Sequence, residues 1–165
     1  MQALIFALFA ALIAVADQVT KYFTVANIPL HAEVEVLPGV VGLTYRQNTG
    51  AAWSSFEGMQ WLFILIFVLF TLAVIWEYKK KSMSFTTFEW WCIAAVYGGG
   101  LGNMIDRVRL GYVVDMIDLN FHPLESFPVF NVADCFISCG CIALFVHLVF
   151  FNKTFWKDEK KKASP

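Results

Sequence analysis

The chain has 165 residues, of which 59% are hydrophobic and 15% charged. A mean hydropathy of +0.63 excludes an ordinary soluble domain of this length and points to a membrane protein. The net charge of −1 excludes bulk electrostatic attraction to nucleic acid, so only the placement of charge along the chain is informative.

Crossing roughly 30 Å of hydrocarbon takes about 20 apolar residues in a helix. Four stretches meet this requirement, at about 1–19, 60–78, 85–105 and 129–151. They predict an all-α integral membrane protein with four transmembrane helices in a single membrane-embedded domain, 1–165, since only helices and closed barrels satisfy their backbone in lipid. In the first stretch Ala14-Val15-Ala16 imitates a leader-cleavage site. No Lys or Arg precedes it, and Asp17 and Lys21 stand one helical turn apart at its far end. The segment is therefore kept in the mature chain, with cleavage as the alternative.

Between the first two stretches Glu33-Val34-Glu35-Val36 alternates, Pro38-Gly39 supplies a turn, and Val41, Leu43 and Tyr45 alternate with Gly42, Thr44 and Arg46. This pattern predicts a short extracytoplasmic β-hairpin, a cradle on the membrane surface between helices 1 and 2. Asn48-Thr49-Gly50-Ala51-Ala52-Trp53 follows, with small residues that allow close backbone approach and a Trp suited to the interface. A packed turn with an anchoring aromatic is the simpler account of that spacing.

Lys79, Lys80 and Lys81 separate the second and third stretches, and Lys153, Lys157, Lys160, Lys161 and Lys162 follow the fourth, in a basic tail at about 152–165. Eight of the twelve basic residues thus fall on one side, which the positive-inside rule makes cytoplasmic. Both termini share that side, and the long loops face the other.

The third stretch contains Gly98 and Gly102, at the small-xxx-small spacing of closely packed membrane helices. Asn103, Asp106 and Arg107 follow at i, i+3 and i+4, which predicts a polar cluster with an Asp106–Arg107 pair at the helix end. Such a cluster ties helices together whether or not the protein is an enzyme. Asp115 comes after the turn-like Gly111, with Asp118 three residues on and able to share its face on a helix. Asp134, with Asn131 three residues before it, is expected within the first turns of the fourth stretch. A helix dipole accounts for Asp134 only if the helix begins there; apolar Val129-Phe130 and Val132-Ala133 point instead to partial immersion. An Asp at the centre of a membrane helix costs about 2.5–3.5 kcal/mol, so carboxylates at this level are functional candidates. Two that meet and share one proton suit acid–base activation of water. Cys92, Cys135, Cys139 and Cys141 lie in apolar runs and read as packing residues. His31, His122 and His147 show no ligand spacing, and His147 reads as a packed or helix-bridging residue.

Five blocks in order carry a resemblance: Asp17-Gln18-Val19-Thr20-Lys21, Asn48 to Trp53, Gly102-Asn103-Met104-Ile105-Asp106-Arg107, Val113-Val114-Asp115, and Phe130-Asn131-Val132-Ala133-Asp134. Over essentially its whole length the chain resembles the lipoprotein signal peptidase family, also called signal peptidase II. The resemblance implies an intramembrane aspartic endopeptidase of the bacterial cytoplasmic membrane. Such an enzyme removes signal peptides from prolipoproteins whose future N-terminal Cys carries a diacylglyceryl group. It matches Asp115 and Asp134 to the family's catalytic pair, and Asp17, Lys21, Asn48, Asn103, Asp106, Arg107 and Asn131 to supporting positions; Gly50 joins that set. It implies no metal, no cofactor and no nucleic acid, a monomer, and membrane lipid as surroundings. Trp53 stands where the family often has Phe, and 121–129 is a variable connection. From spacing alone Asp118 remains an alternative partner for the pair. The competing class is a small proton-coupled transporter or channel subunit in which the same carboxylates relay protons. A structural assembly factor packing through Gly98 and Gly102 is a third.

Overall fold

The structure, a computed structural model, describes residues 2–50 and 56–154. In chain order it contains α1 (Gln2–Asn27), β1 (Glu33–Leu37), β2 (Val41–Asn48), α2 (Gln60–Lys80), α3 (Thr87–Leu110), β3 (Val113–Leu119) and α4 (Val132–Val146), the last running on into a π-helical turn, His147–Phe151. The interfacial Trp53 and most of the basic tail fall outside the described residues.

The burial pattern is inverted relative to a water-soluble bundle. On α1 the buried residues include Asp17 and Lys21, at 0% and 3% exposure, whereas Leu4, Leu8 and Leu12 are 60% exposed or more. Polar groups face inward and leucines outward, as expected when the surrounding solvent is hydrocarbon. By length and composition α1, α2 and the α4–π segment are apolar enough to cross a membrane. Four such helices are expected from the sequence, and α3 is the one that is not apolar enough. Its 24 residues suffice in length, but Glu89, Asp106, Arg107, Arg109 and a Gly98-Gly99-Gly100 run lower its hydropathy.

Two predicted small residues set the packing of α3 on α1. A Cβ at Gly98 would lie 2.6 Å from the Ala10 carbonyl oxygen, and one at Gly102 would lie 2.5 Å from Asp17 Oδ2. Neither site has room for a side chain, so the helices meet backbone to backbone and the Asp17 carboxylate rests on α3. α3 also packs along α4, while α2 leans on α3.

The hairpin is present, with Gly39 at φ 67° in its turn and Val34 opposite Leu43. It belongs to a three-stranded antiparallel sheet, order β1-β2-β3, because residues 113–119 add a strand that the sequence reading does not contain. β3 pairs with β2 so that Asn48 opposes Val113 and Arg46 opposes Asp115, with an irregularity in β2 between Leu43 and Arg46. Ile28, Tyr45, Val114 and Met116 form a small apolar core that seats this sheet on the end of α1.

Candidate active site

Asp115 lies on β3 and is 3% exposed. Asn48, at the end of the neighbouring strand, donates from Nδ2 to Asp115 Oδ2 at 2.9 Å, and the Gly50 N–H donates to Asn48 Oδ1 at 2.9 Å, which fixes the orientation of that amide. Asn131 Nδ2 donates to the other Asp115 oxygen at 2.6 Å.

Asn131 is also the N-cap of α4. Its Oδ1 accepts the Asp134 N–H at 2.9 Å, while its own N–H donates to Asp134 Oδ2 at 3.1 Å, a reciprocal capping box. One residue therefore holds both carboxylates, Asp115 through its side chain and Asp134 through its main chain. The helix begins at Val132, so Asp134 stands in the first turn rather than immersed in a helix starting near 129. Val129 and Phe130 precede the helix, and Phe130 bridges to Ile117 of β3 instead.

Asn103 on α3 donates to Asp134 Oδ1 at 2.8 Å. Its Oδ1 accepts from Asn131 Nδ2 at 3.1 Å and from Lys21 Nζ at 2.8 Å. The Lys21 ammonium sits between Asp17 Oδ2 at 2.8 Å and Asp106 Oδ2 at 2.9 Å, all three groups at most 3% exposed. The outer faces of this triad are satisfied by backbone. Ala133 N–H donates to Asp17 Oδ1 at 2.9 Å, and Val114 N–H to Asp106 Oδ2 at 3.0 Å. The triad thus fastens the residue before Asp115 and the residue before Asp134 to α1 and α3.

Burial is the main reason the Asp115 carboxyl is pushed up from 3.8 to about 7. The Asn48 amide opposes that rise, the Asp134 charge adds to it, and Asn131 and Lys21 oppose it. Asp115 opens onto a cleft of about 400 Å³, whose lining includes Asn48, Asp118, Glu57 and Pro128. A buried carboxyl pushed up to about 7, close enough to feel the Asp134 charge and opening onto a cleft, is a constellation able to activate water.

The structure gathers Asp17, Lys21, Asn48, Gly50, Asn103, Asp106, Asp115, Asn131 and Asp134 into this network. Two expectations are corrected. Asp106 pairs with Lys21, not with Arg107; adjacent residues of a helix diverge, and Arg107 instead donates to the Gly50 carbonyl at 2.9 Å and covers the Phe63 ring at 4.4 Å. Asp118 does not share a helical face with Asp115, because the segment is a strand; both residues nonetheless line the same cleft. Gln18, which the sequence reading leaves without a role, donates to Asp106 Oδ1 at 2.8 Å and to the Gly102 carbonyl at 3.1 Å. A glutamine inside an apolar helix, next to Asp17, is the signal that marks it. His147 bridges helices as expected, its Nδ1 standing 2.9 Å from Glu89 Oε1 at the far end of α3. No group of three or more His, Cys, Asp or Glu residues suited to a metal ion occurs among the described residues.

Apolar helices around a buried polar site mark a multi-pass membrane protein. A solved structure described as a bacterial membrane enzyme, determined by the in meso method at 2.3 Å resolution, superposes with a TM-score of 0.80 at 32% identity, covering 90% of each chain. The family model described as signal peptidase (SPase) II matches residues 9–150. A lipoprotein signal peptidase of Enterococcus faecalis (strain ATCC 700802 / V583) is 41% identical over 155 residues, 90% of each chain. One of Streptococcus agalactiae serotype Ia is 38% identical over 159 residues, 96% of each. The chain belongs to the signal peptidase II family and is accordingly a membrane-spanning protease.

Proposed function

We propose that this protein is an aspartic endopeptidase that removes the signal peptide from diacylglyceryl-modified prolipoproteins, cutting just before the lipidated Cys, with Asp115 and Asp134 as the catalytic pair. The observation that carries the reading is the attachment of both carboxylates to Asn131, one of them at 2.6 Å from its side chain and the other at 3.1 Å from its backbone N–H. Family membership and the lipoprotein signal peptidase names of the relatives support the substrate.

In the proposed reaction a water between the carboxyls loses a proton to Asp134 as its oxygen bonds to the scissile carbonyl carbon. Asp115, its carboxyl pushed up to about 7, donates its proton to the carbonyl oxygen. The resulting gem-diol collapses with breakage of the C–N bond: one hydroxyl proton returns to Asp115, and the proton on Asp134 passes to the nitrogen of the lipidated Cys, which leaves as an amine. Asn48 and Asn131 orient Asp115 without adding charge, and Asn103 does the same for Asp134. Lys21, Asp17 and Asp106 position the backbone that carries the pair. Arg107 holds the Gly50 carbonyl at the rim.

In this reading α3 is the fourth membrane span, its ionic groups shielded by α1 and α4. The protein works as a monomer and as one membrane-embedded unit in the bacterial cytoplasmic membrane. Both termini are cytoplasmic, and the sheet and pair face outward. The test is a mobility-shift cleavage assay on a diacylglyceryl-modified prolipoprotein and its unmodified form. Wild type and Asp118→Asn are expected to cut only the lipidated form, while Asp115→Asn and Asp134→Asn bind it without turnover. Normal cleavage by either of the last two overturns the assignment.

A further inference from the structure

At the end of the bundle remote from the carboxyl pair, α2 leaves a groove between itself, α1 and α3. Its volume is about 280 Å³. Small residues make the floor: Ala3, Ala7 and Ala10 of α1 and Ala94 of α3. The hydroxyl of Thr71 in the wall is already bonded to the Phe67 carbonyl at 2.8 Å, and the lining is mostly apolar. Its mouth is different. Tyr78 and Trp90 meet edge to face there, centroids 5.6 Å apart, and Lys79 lines the opening. Tyr and Trp of membrane helices collect at headgroup depth, so this rim marks where hydrocarbon gives way to phosphate.

Lys79, Lys80 and Lys81 are all exposed, and no carboxylate forms an ion pair with any of them among the described residues. The nearest acid in sequence, Glu77, is buried and committed to the turn after α2, accepting from the Met83 N–H at 2.7 Å and from the Ser82 hydroxyl. Cationic groups above an aromatic rim and an apolar slot match an amphiphile with an anionic head and a hydrocarbon tail. We propose that the groove between α1, α2 and α3 is a binding site for an anionic phospholipid of the lysine-bearing leaflet, one acyl chain lying on the alanine floor and the phosphate on Lys79. The seated chain fills the space between α1 and α2. The site is separate from the carboxyl pair and does not rest on the peptidase reading.

The test titrates delipidated protein in neutral detergent with phosphatidylglycerol and with phosphatidylcholine of identical chains, bound lipid being counted by native mass spectrometry. Wild type is expected to retain one phosphatidylglycerol in preference to phosphatidylcholine. Lys79→Gln weakens that preference about fivefold, the equivalent of about 1 kcal/mol for one lysine near an anionic headgroup, and Lys79→Arg keeps it. Ala7→Trp, which fills the floor, removes the bound lipid whatever its headgroup. Equal retention of the two lipids by wild type, or an unchanged preference in Lys79→Gln, overturns the proposal, and neither result depends on Ala7→Trp folding. Displacement of the phospholipid by a diacylglyceryl peptide reassigns the groove to substrate and overturns it as well.

Discussion

Burial pushes the Asp115 carboxyl up to about 7, and that sets how the protein should respond to pH. With Asp115 as the proton donor of the pair, kcat/KM should fall as the pH rises through about 7. Asn48 opposes the raised value by donating to the carboxylate, so Asn48→Ala should move that alkaline limb upward by about one pH unit while lowering kcat, as a pH–rate profile would record. The same group has a stability consequence of fixed sign. A carboxyl raised above its unfolded value favours the fold most below the unfolded value of 3.8, and that contribution is lost as the pH climbs through about 7. Lys21 is a different kind of residue. It neutralises part of a buried charge, so Lys21→Met leaves Asp17 and Asp106 facing each other without a cation. The expected cost is about 3–5 kcal/mol, measurable as a lowered unfolding temperature in detergent, in a variant expected to lose activity although neither Asp115 nor Asp134 was touched.

At the scale of elements, α3 is the hub, lying between α1 and α4 with α2 on its remaining side. Its close approach to α1 is testable. Gly98→Ala places a methyl group against the Ala10 carbonyl and should cost about 1–3 kcal/mol, with loss of activity beyond what the stability change explains, read by thermal unfolding and cleavage together. The small-residue spacing that announces this contact is visible in the sequence, as are the hairpin and the Asp17–Lys21 turn. The strand β3 is not. Val113 to Met116 are all buried, so Val-Val-Asp-Met carries no alternation of apolar and polar residues to mark it. For the same reason Asp115 and Asp118 look like a helical pair when only their spacing is considered. Asn131 is legible as a polar neighbour of Asp134, but its double role is not, because it depends on β3 arriving beside the start of α4. The Lys21–Asp106 pair spans two helices, and local spacing favours the wrong partner, Arg107.

For the whole molecule, the inverted burial of α1 and the lysines after α2 predict an orientation that labelling can check. A cysteine replacing Val36 on the exposed β1 should react with an impermeant maleimide applied to intact cells. One replacing Lys80 should react only after the membrane is breached, and the opposite pattern would reverse the topology. The order of assembly follows from the network around Asn131. Asp17 and Lys21 are synthesised first, Asn48 and Asn103 later, and Asp115, Asn131 and Asp134 in the last third of the chain. A nascent chain that has inserted two or three helices holds Asp17, Lys21 and Asp106 but not yet Asp115 together with Asp134. In the proposed reading this works as an interlock. Proteolytic competence is switched on by the completion of synthesis, so a protease that shares its membrane with every newly inserted neighbour stays inert until its own last helix is in place.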